Sequence, residues 1–539
     1  MDLIVELKNN IKNVLNKLGI EASFEDVSVE KSRDVNHGDY ASNVCLKFSK
    51  KAGKNPVEFA KLLEDNLDKS LIDHIEIAGP GFMNFFMKDD SLQNVISLIL
   101  NQKDSYGRGE RKNETINVEF VSANPTGDLH VGTARGAAIG DSLARILSFS
   151  GYDVIKEYYI NDAGKQIENL ALSIQARYFE LLGKPFILPE DGYHGQDVID
   201  IAKEVLEEYG EAPLSYEDPI AFFKEIGIDK EMKKIRKDLS SFGVEFDVFT
   251  SEKEIRKNNA IEKELDNLKK YTYQEDGALL LRTTDFIDDK DRVIVKSDGD
   301  YTYFLPDIVY HLNKLSRKAD KLIDVLGADH HGYINRMKSA LMMHGYKEDV
   351  LSVELIQMVR FIKDGVEKKA SKRAGDAYKL RELVEEVGID AARYFFAMRM
   401  PSTHLDFDLG LAVEQSSSNP VYYSQYAYAR MCSVLKMGED IAIDESGKNL
   451  SLEKEKLILK TLADFPKVVE GACKDLLPNK ITNYVHELAE SVHSWYNDTK
   501  IVDRNAIEVS ASRLALCEAI KQVIKNALYL VGVNTPEHM

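Results

Sequence analysis

An apolar run over residues 116–121 breaks at Asn124-Pro125-Thr126-Gly127 and restarts as a helical pattern near Gly132. A second apolar run follows over 152–160. Strand, helix and strand in that order force the two strands parallel, with the helix as a right-handed crossover. No other stretch constrains the chain as strongly. It predicts an open parallel sheet, and it places the turn after the first strand at the carboxyl ends of the strands, where such sheets bind ligands. Free backbone N–H groups and the helix dipole suit that turn to phosphate. His130, within the turn, can donate hydrogen bonds to phosphate oxygens without a full charge. Gly132 has no side chain, which lets a flat ring such as adenine lie against the backbone. Thr133 is the residue type expected to cap the helix.

The rest of the chain supplies that sheet and adds to it. Residues 168–290 are helical and strongly charged, with one apolar stripe per helix, and read as an insertion between two halves of a nucleotide fold. Residues 277–282 and 292–296 then return as strands. Pro306 suits a first helical position, which puts Asp307 in the first turn, with Tyr303 and Asp307 toward the cleft. A buried strand over 321–326 ends in Gly327-Ala328-Asp329-His330-His331-Gly332. Neighbours at a strand end point to opposite sides, so a polar turn is expected there and no metal cluster. Residues 354–362 read as one strand, turned into a hairpin by Lys363-Asp364-Gly365. The basic loop after it, within 363–376, carries Lys369, Ser371 and Lys372, which suit a triphosphate whose charge grows as it reacts.

The ends read as separate units. Residues 1–108 form a small α+β unit, with helical patterns over 3–18 and 56–67 and a turn-rich strand over 38–47. It closes with 75–87, broken by Gly79-Pro80-Gly81. Phe82, Phe85 and Phe86 there read as core residues, with a nucleic-acid stacking platform as the competing reading. Residues 103–113 serve as a linker. Beyond 390 the pattern is helical apart from a turn over 400–408, and Tyr422, Tyr426 and Arg430 share one helix face at i, i+4, i+8 spacing, able to stack on splayed bases.

Charge and thiols narrow the class. Lysine plus arginine number 70 against 89 aspartate plus glutamate, a net charge of −19, which argues against a chain that coats polyanions over its whole surface but leaves room for a local nucleic-acid patch. Cys45, Cys432, Cys473 and Cys517 form no CxxC pair and read as thiols of a reducing, cytoplasmic compartment. The first residues suit an amphipathic helix rather than a signal peptide. No apolar run approaches the ~20 residues of a membrane span.

Taken whole, Ala123-Asn124-Pro125-Thr126-Gly127-Asp128-Leu129-His130-Val131-Gly132 with Arg135-Gly136-Ala137 resembles the "HIGH" signature of class I aminoacyl-tRNA synthetases in its arginyl form, with Thr133 in place of the last histidine. Lys369-Ala370-Ser371-Lys372-Arg373 looks like the "KMSKS" loop, with Ala370 for methionine. Residues 419–430 resemble the opening of the arginyl family's anticodon-binding bundle, and 1–108 its N-terminal additional domain, which implies contact with the elbow of the tRNA. The resemblance implies a multidomain α/β protein. A class I Rossmann-type catalytic domain would span 109–400 with its insertion, and an all-helical anticodon-binding bundle 401–539. It implies ATP-dependent activation of arginine and transfer to tRNA(Arg), with ATP arriving as its Mg²⁺ complex, no tightly bound cofactor and a monomeric enzyme. It assigns ATP to His130, Gly132, Thr133, Lys369, Ser371 and Lys372, and arginine to Ser122, Asn124, Tyr303, Asp307 and His330. Two rivals stand beside it: a nucleotidyltransferase activating a small acid without RNA, and a tRNA-binding paralogue without catalysis.

Overall fold

A computed structural model describes residues 3–32, 37–368 and 378–539. Its centre is a five-stranded parallel sheet in the order Leu351–Ile356, Lys321–Gly327, Thr115–Glu119, Asp153–Ile160, Val248–Ser251. Thr115–Glu119 is first in the chain and middle in space, so strand order reverses beside it. That switch point is where crevices open in doubly wound sheets. The helix Val131–Phe149 packs against the sheet so closely that a methyl group at Gly140 would sit 2.3 Å from the Phe120 ring. Arg135 of the signature is fully buried and pins the helix to three carbonyls, Gln357 at 2.7 Å, Thr403 at 2.8 Å and Met400 at 3.0 Å. Burial lowers its pKa to about 10.

Several expectations change. The strand predicted over 354–362 is two strands divided at Gln357: Leu351–Ile356 ends the central sheet, while Val359–Lys363 pairs with Val366–Glu367 and, in parallel, with Leu405–Asp408. The region beyond 401 is therefore not wholly helical. The turn at Asp364-Gly365 has φ of 52° and 75°, the paired left-handed geometry of a two-residue hairpin. Within 168–290 the helices Lys165–Leu181, Gln196–Tyr209 and Pro219–Ser241 pack on one another around Tyr178 and Phe223. The strand Val248–Ser251, which showed no alternation in sequence, returns to the central sheet as its edge. Thr272–Glu275, Ala278–Leu281 and Arg292–Val295 build a separate antiparallel sheet instead of rejoining the main one.

At the N-terminal end, helices Leu3–Lys17 and Pro56–Asn66 flank an antiparallel sheet in the order Glu30–Lys31, Tyr40–Ser42, Phe82–Met87, Ile72–Ala78. The strand expected over 38–47 is only Tyr40–Ser42; Val44–Phe48 turns helical so that Val44, Cys45 and Phe48 can be buried. Phe85 is buried, Phe86 stacks on His74, and Phe82 is exposed. The stretch expected to be a linker is docked: the Tyr106 hydroxyl donates to Leu462 O at 2.8 Å, and Asn526 holds the carbonyls of Lys103 and Tyr106. One continuous apolar core runs through residues of all three regions. The C-terminal helices Pro420–Met437, Glu453–Asp475, Asn479–Asp498 and Ile507–Leu530 close on Trp495 and Phe465. A buried ion pair, Arg393 Nη2 to Asp141 Oδ2 at 2.6 Å, ties the bundle side to the signature helix. The thiols are free, and no helix of the described residues is long and apolar enough to cross a membrane.

Candidate active site

The cleft begins where Thr115–Glu119 ends. Val121 and Ser122 have φ of 70° and 40°, left-handed values that are costly for residues with a Cβ and most of all for a β-branched one. Such strain persists where surrounding bonds over-determine it, and here they do. The Ser122 hydroxyl donates to Glu119 Oε1 at 2.8 Å and accepts from Tyr159 N at 3.0 Å, and the Tyr158 hydroxyl donates to Ala123 O at 2.6 Å. Ser122 thus orients Glu119, with its hydroxyl already engaged. Asn124 is exposed and donates to Gln166 Oε1 at 2.6 Å; Pro125 and Leu129 are buried, Thr126 and Gly127 half-buried between them.

His130, rather than Thr133, caps the signature helix. Gly132 N–H donates to His130 Nδ1 at 3.1 Å. This bond assigns the tautomer: Nδ1 accepts, so the neutral ring carries its proton on Nε2. Nε2 lies 3.4 Å from Thr133 Oγ1. Gly132 has a second use here, since a Cβ would come within 3.0 Å of the imidazole folded over it. The ring edge is open to the cleft while the walls desolvate it, and that desolvation lowers its pKa and keeps it neutral. The result is a helix N-terminus topped by one uncharged N–H donor.

Across the cleft stands the helix Phe304–Ser316. It starts two residues earlier than Pro306 suggested; at the third helical position the missing N–H costs nothing, because that group has no partner within a helix. Asp307 sits one residue further in. Part of its surface faces the cleft, but the carboxyl itself is enclosed. Loss of hydration, opposed by His311 and reinforced by the charge of Glu119, raises its pKa to about 7. Tyr303, one turn before it, is 84% exposed. His330 is also exposed, on the turn Ala328–Tyr333, with Nε2 3.7 Å from Asp329. No group of described residues has the makings of a metal site.

Beneath these residues lies a buried polar network that the sequence did not reveal. Lys314, with no exposed surface, donates to Glu119 Oε2 and to Asp324 Oδ1, the latter at 2.9 Å; burial works against its charge, but the two carboxylates hold its pKa above the usual range. His311 bonds Asp324 Oδ2 at 2.8 Å and the Asp307 carbonyl at 2.7 Å. Glu119 lay unnoticed in the apolar run 116–121, and nothing local marks it as more than a strand-end acid. A cavity of about 630 Å³ lined by Ile116, Lys321, Leu322 and Cys473 opens at the opposite, amino end of the sheet, away from this chemistry.

The C-terminal aromatic face is half-buried. Tyr422 stacks on Tyr426 at 5.7 Å, Tyr426 on His493 at 5.7 Å, and the Arg430 guanidinium lies over Tyr426 at 4.4 Å. Lys369, Ser371 and Lys372 lie outside the described residues.

Comparison with known proteins decides the family. Residues 95–399 match the model of the class I (R) tRNA synthetase catalytic domain, 5–87 the arginyl-tRNA synthetase N-terminal domain and 424–539 the DALR anticodon binding domain. The arginine–tRNA ligase of Bacillus subtilis is 49% identical over 99% of this chain and 98% of its own; that of Geobacillus kaustophilus is 48% identical over 100% of both. The chain belongs to the arginyl-tRNA synthetases. Solved arginyl-tRNA synthetases of Thermus thermophilus and Plasmodium falciparum share the fold, with TM-scores of 0.77 and 0.76 at 20% and 18% identity over 99% and 100% of this chain and 99% of each of theirs. As an arginyl-tRNA synthetase the chain is a class I ligase, and neither the RNA-independent nor the non-catalytic reading is favoured.

Proposed function

We propose that this cleft joins arginine to ATP as arginyl-adenylate, releasing pyrophosphate, and passes the arginine to the 3′-terminal adenosine of tRNA(Arg). The observation that carries the arginine half is the pair Glu119 and Asp307, two acids whose fields overlap at the mouth of a parallel sheet. A guanidinium is planar, always charged and bidentate, and suits the Asp307 carboxylate better than an ammonium does, while Glu119, held by Ser122 and Lys314, adds its field. Ser122 then serves by orienting Glu119, while Asn124, Tyr303 and His330 rim the pocket.

ATP enters as its Mg²⁺ complex. The His130 Nε2–H and the positive end of the Val131–Phe149 dipole support phosphate binding at that helix end, with Gly132 leaving room for the ring and Thr133 steadying it. The arginine carboxylate attacks the α-phosphate in line, and the protein mainly positions groups and neutralises charge. Lys369, Ser371 and Lys372 are assigned to the departing pyrophosphate. In this reading 1–108 meets the tRNA elbow, 109–400 holds the chemistry with 168–290 as its insertion, and 401–539 takes the anticodon with Tyr422, Tyr426 and Arg430 stacking on bases. The enzyme works as a cytoplasmic monomer. The test is ATP–pyrophosphate exchange with each amino acid, with and without tRNA. Exchange should need arginine and its tRNA together; exchange driven by another amino acid would sink the arginine assignment, and robust exchange without RNA would sink the tRNA requirement.

A further inference from the structure

Asp128 sits two residues before His130, is the one acid of the signature turn, and is heavily paired. Its Oδ1 lies 2.5 Å from Lys234 Nζ and 2.6 Å from Arg381 Nη2, and its Oδ2 lies 2.7 Å from Lys379 Nζ. The three cations come from two distant parts of the chain. Lys234 is on the insertion helix Pro219–Ser241, while Lys379 and Arg381 open the helix Leu380–Val387. Arg381 also reaches Asp238 on the insertion helix at 3.3 Å. Backbone bonds run alongside: Leu380 N donates to Leu129 O at 2.8 Å, and Val131 N to Tyr378 O at 2.9 Å, bracketing His130 in a short antiparallel bridge with Lys379.

We propose that Asp128 is a positioning residue for the reaction: its single carboxylate clamps the signature turn between the insertion helix and the 378–381 segment, and so fixes the direction in which His130 presents Nε2–H. The argument is one of valence. A carboxylate accepts at both oxygens and here takes three cations; an amide of the same shape has one accepting atom and turns an NH₂ toward a cation. Without the negative charge, Lys234, Lys379 and Arg381 repel one another across the turn, with Asp238 3.3 Å from Arg381 and Glu231 3.8 Å from Lys234 left to offset them. The backbone bridge would still hold the chain close, but not in one orientation. Desolvation opposes the charge of Asp128, yet the bonds from Lys234 and Lys379 outweigh it and keep the carboxyl ionised below its usual range.

The proposal rests on His130 as the phosphate donor, and the test separates the two. Single-turnover aminoacylation is measured at saturating ATP, arginine and tRNA for Asp128→Asn, Asp128→Glu, His130→Ala and the Asp128→Asn/His130→Ala double variant. Asp128→Asn should slow the chemical step about ten- to a hundred-fold, the scale of a small misplacement of a reacting group, with KM for arginine and tRNA little changed. Asp128→Glu should restore most of the rate, and the double variant should be no slower than His130→Ala, because both act through one ring. Arg381→Gln opens the clamp from the other side with the turn's own residues unchanged and should lose rate in the same direction. An unchanged rate in Asp128→Asn, or losses that multiply in the double variant, would overturn the positioning role. A full rate in His130→Ala would instead remove His130 from the mechanism.

Discussion

Replacing Asp307 by asparagine keeps volume and shape and removes one charge, and the structure says what should follow. The carboxyl is enclosed, and its pKa stands near 7 because of lost hydration and the field of Glu119. Near pH 7 the Asp307 carboxyl therefore carries a proton part of the time, and a guanidinium must draw it to the ionised form. For an acid raised to about 7, binding competence is full above that pH and falls away below it, so arginine KM should rise roughly tenfold between pH 8 and pH 6. Asp307→Asn abolishes the charge at every pH. Losing one partner of an enclosed charge pair costs about 2–5 kcal/mol, or roughly thirty- to several-thousand-fold in kcat/KM for arginine. ATP binding, on the other wall, should hardly change. The assay is steady-state charging of saturating tRNA at several arginine concentrations from pH 5.5 to 8.5, wild type against variant. The decisive quantity is their ratio, which should widen as pH rises. A variant with unaltered arginine kcat/KM, or a ratio that does not vary with pH, would place the guanidinium elsewhere.

Other expectations follow from the same geometry. His130→Ala should cost about 3–4 kcal/mol in the adenylation barrier, as for one preorganised donor, whereas Thr133→Ala, which only loosens that ring, should cost about 1 kcal/mol; equal losses in single-turnover adenylation would make the threonine the direct contact. Lys314→Met leaves Glu119 and Asp324 buried without their cation and should destabilise the protein by about 3–5 kcal/mol in urea unfolding, so a midpoint like that of wild type would contradict the network. Tyr426→Ala should raise KM for tRNA by an amount equivalent to about 1–3 kcal/mol and leave arginine KM alone, and an unchanged tRNA KM would return that ring to a packing role.

Much of this was legible in the chain because it is written locally. The strand–turn–helix–strand unit announces itself by a change of hydrophobic period, and Asp364-Gly365 dictates its hairpin through left-handed dihedrals. The helices Leu3–Lys17 and Ile507–Leu530 follow from apolar spacing. His130, Gly132 and Asp307 stood out as candidates because turn and helix-start residues are few and chemically distinctive. What stayed hidden depends on partners far away in sequence. Val248–Ser251 and Leu405–Asp408 are four residues each and become strands only by pairing with Asp153–Ile160 and Val359–Lys363. Glu119 looks like any strand-end acid until Lys314 is packed beneath it and Asp307 opposite. The capping role passed from Thr133 to His130 because the imidazole folds over a position that only glycine leaves open. Period and turn chemistry are properties of neighbours and survive in a string of letters; the charge balance of a buried site is a property of what long-range folding brings within about 3 Å, and only the tertiary structure decides it.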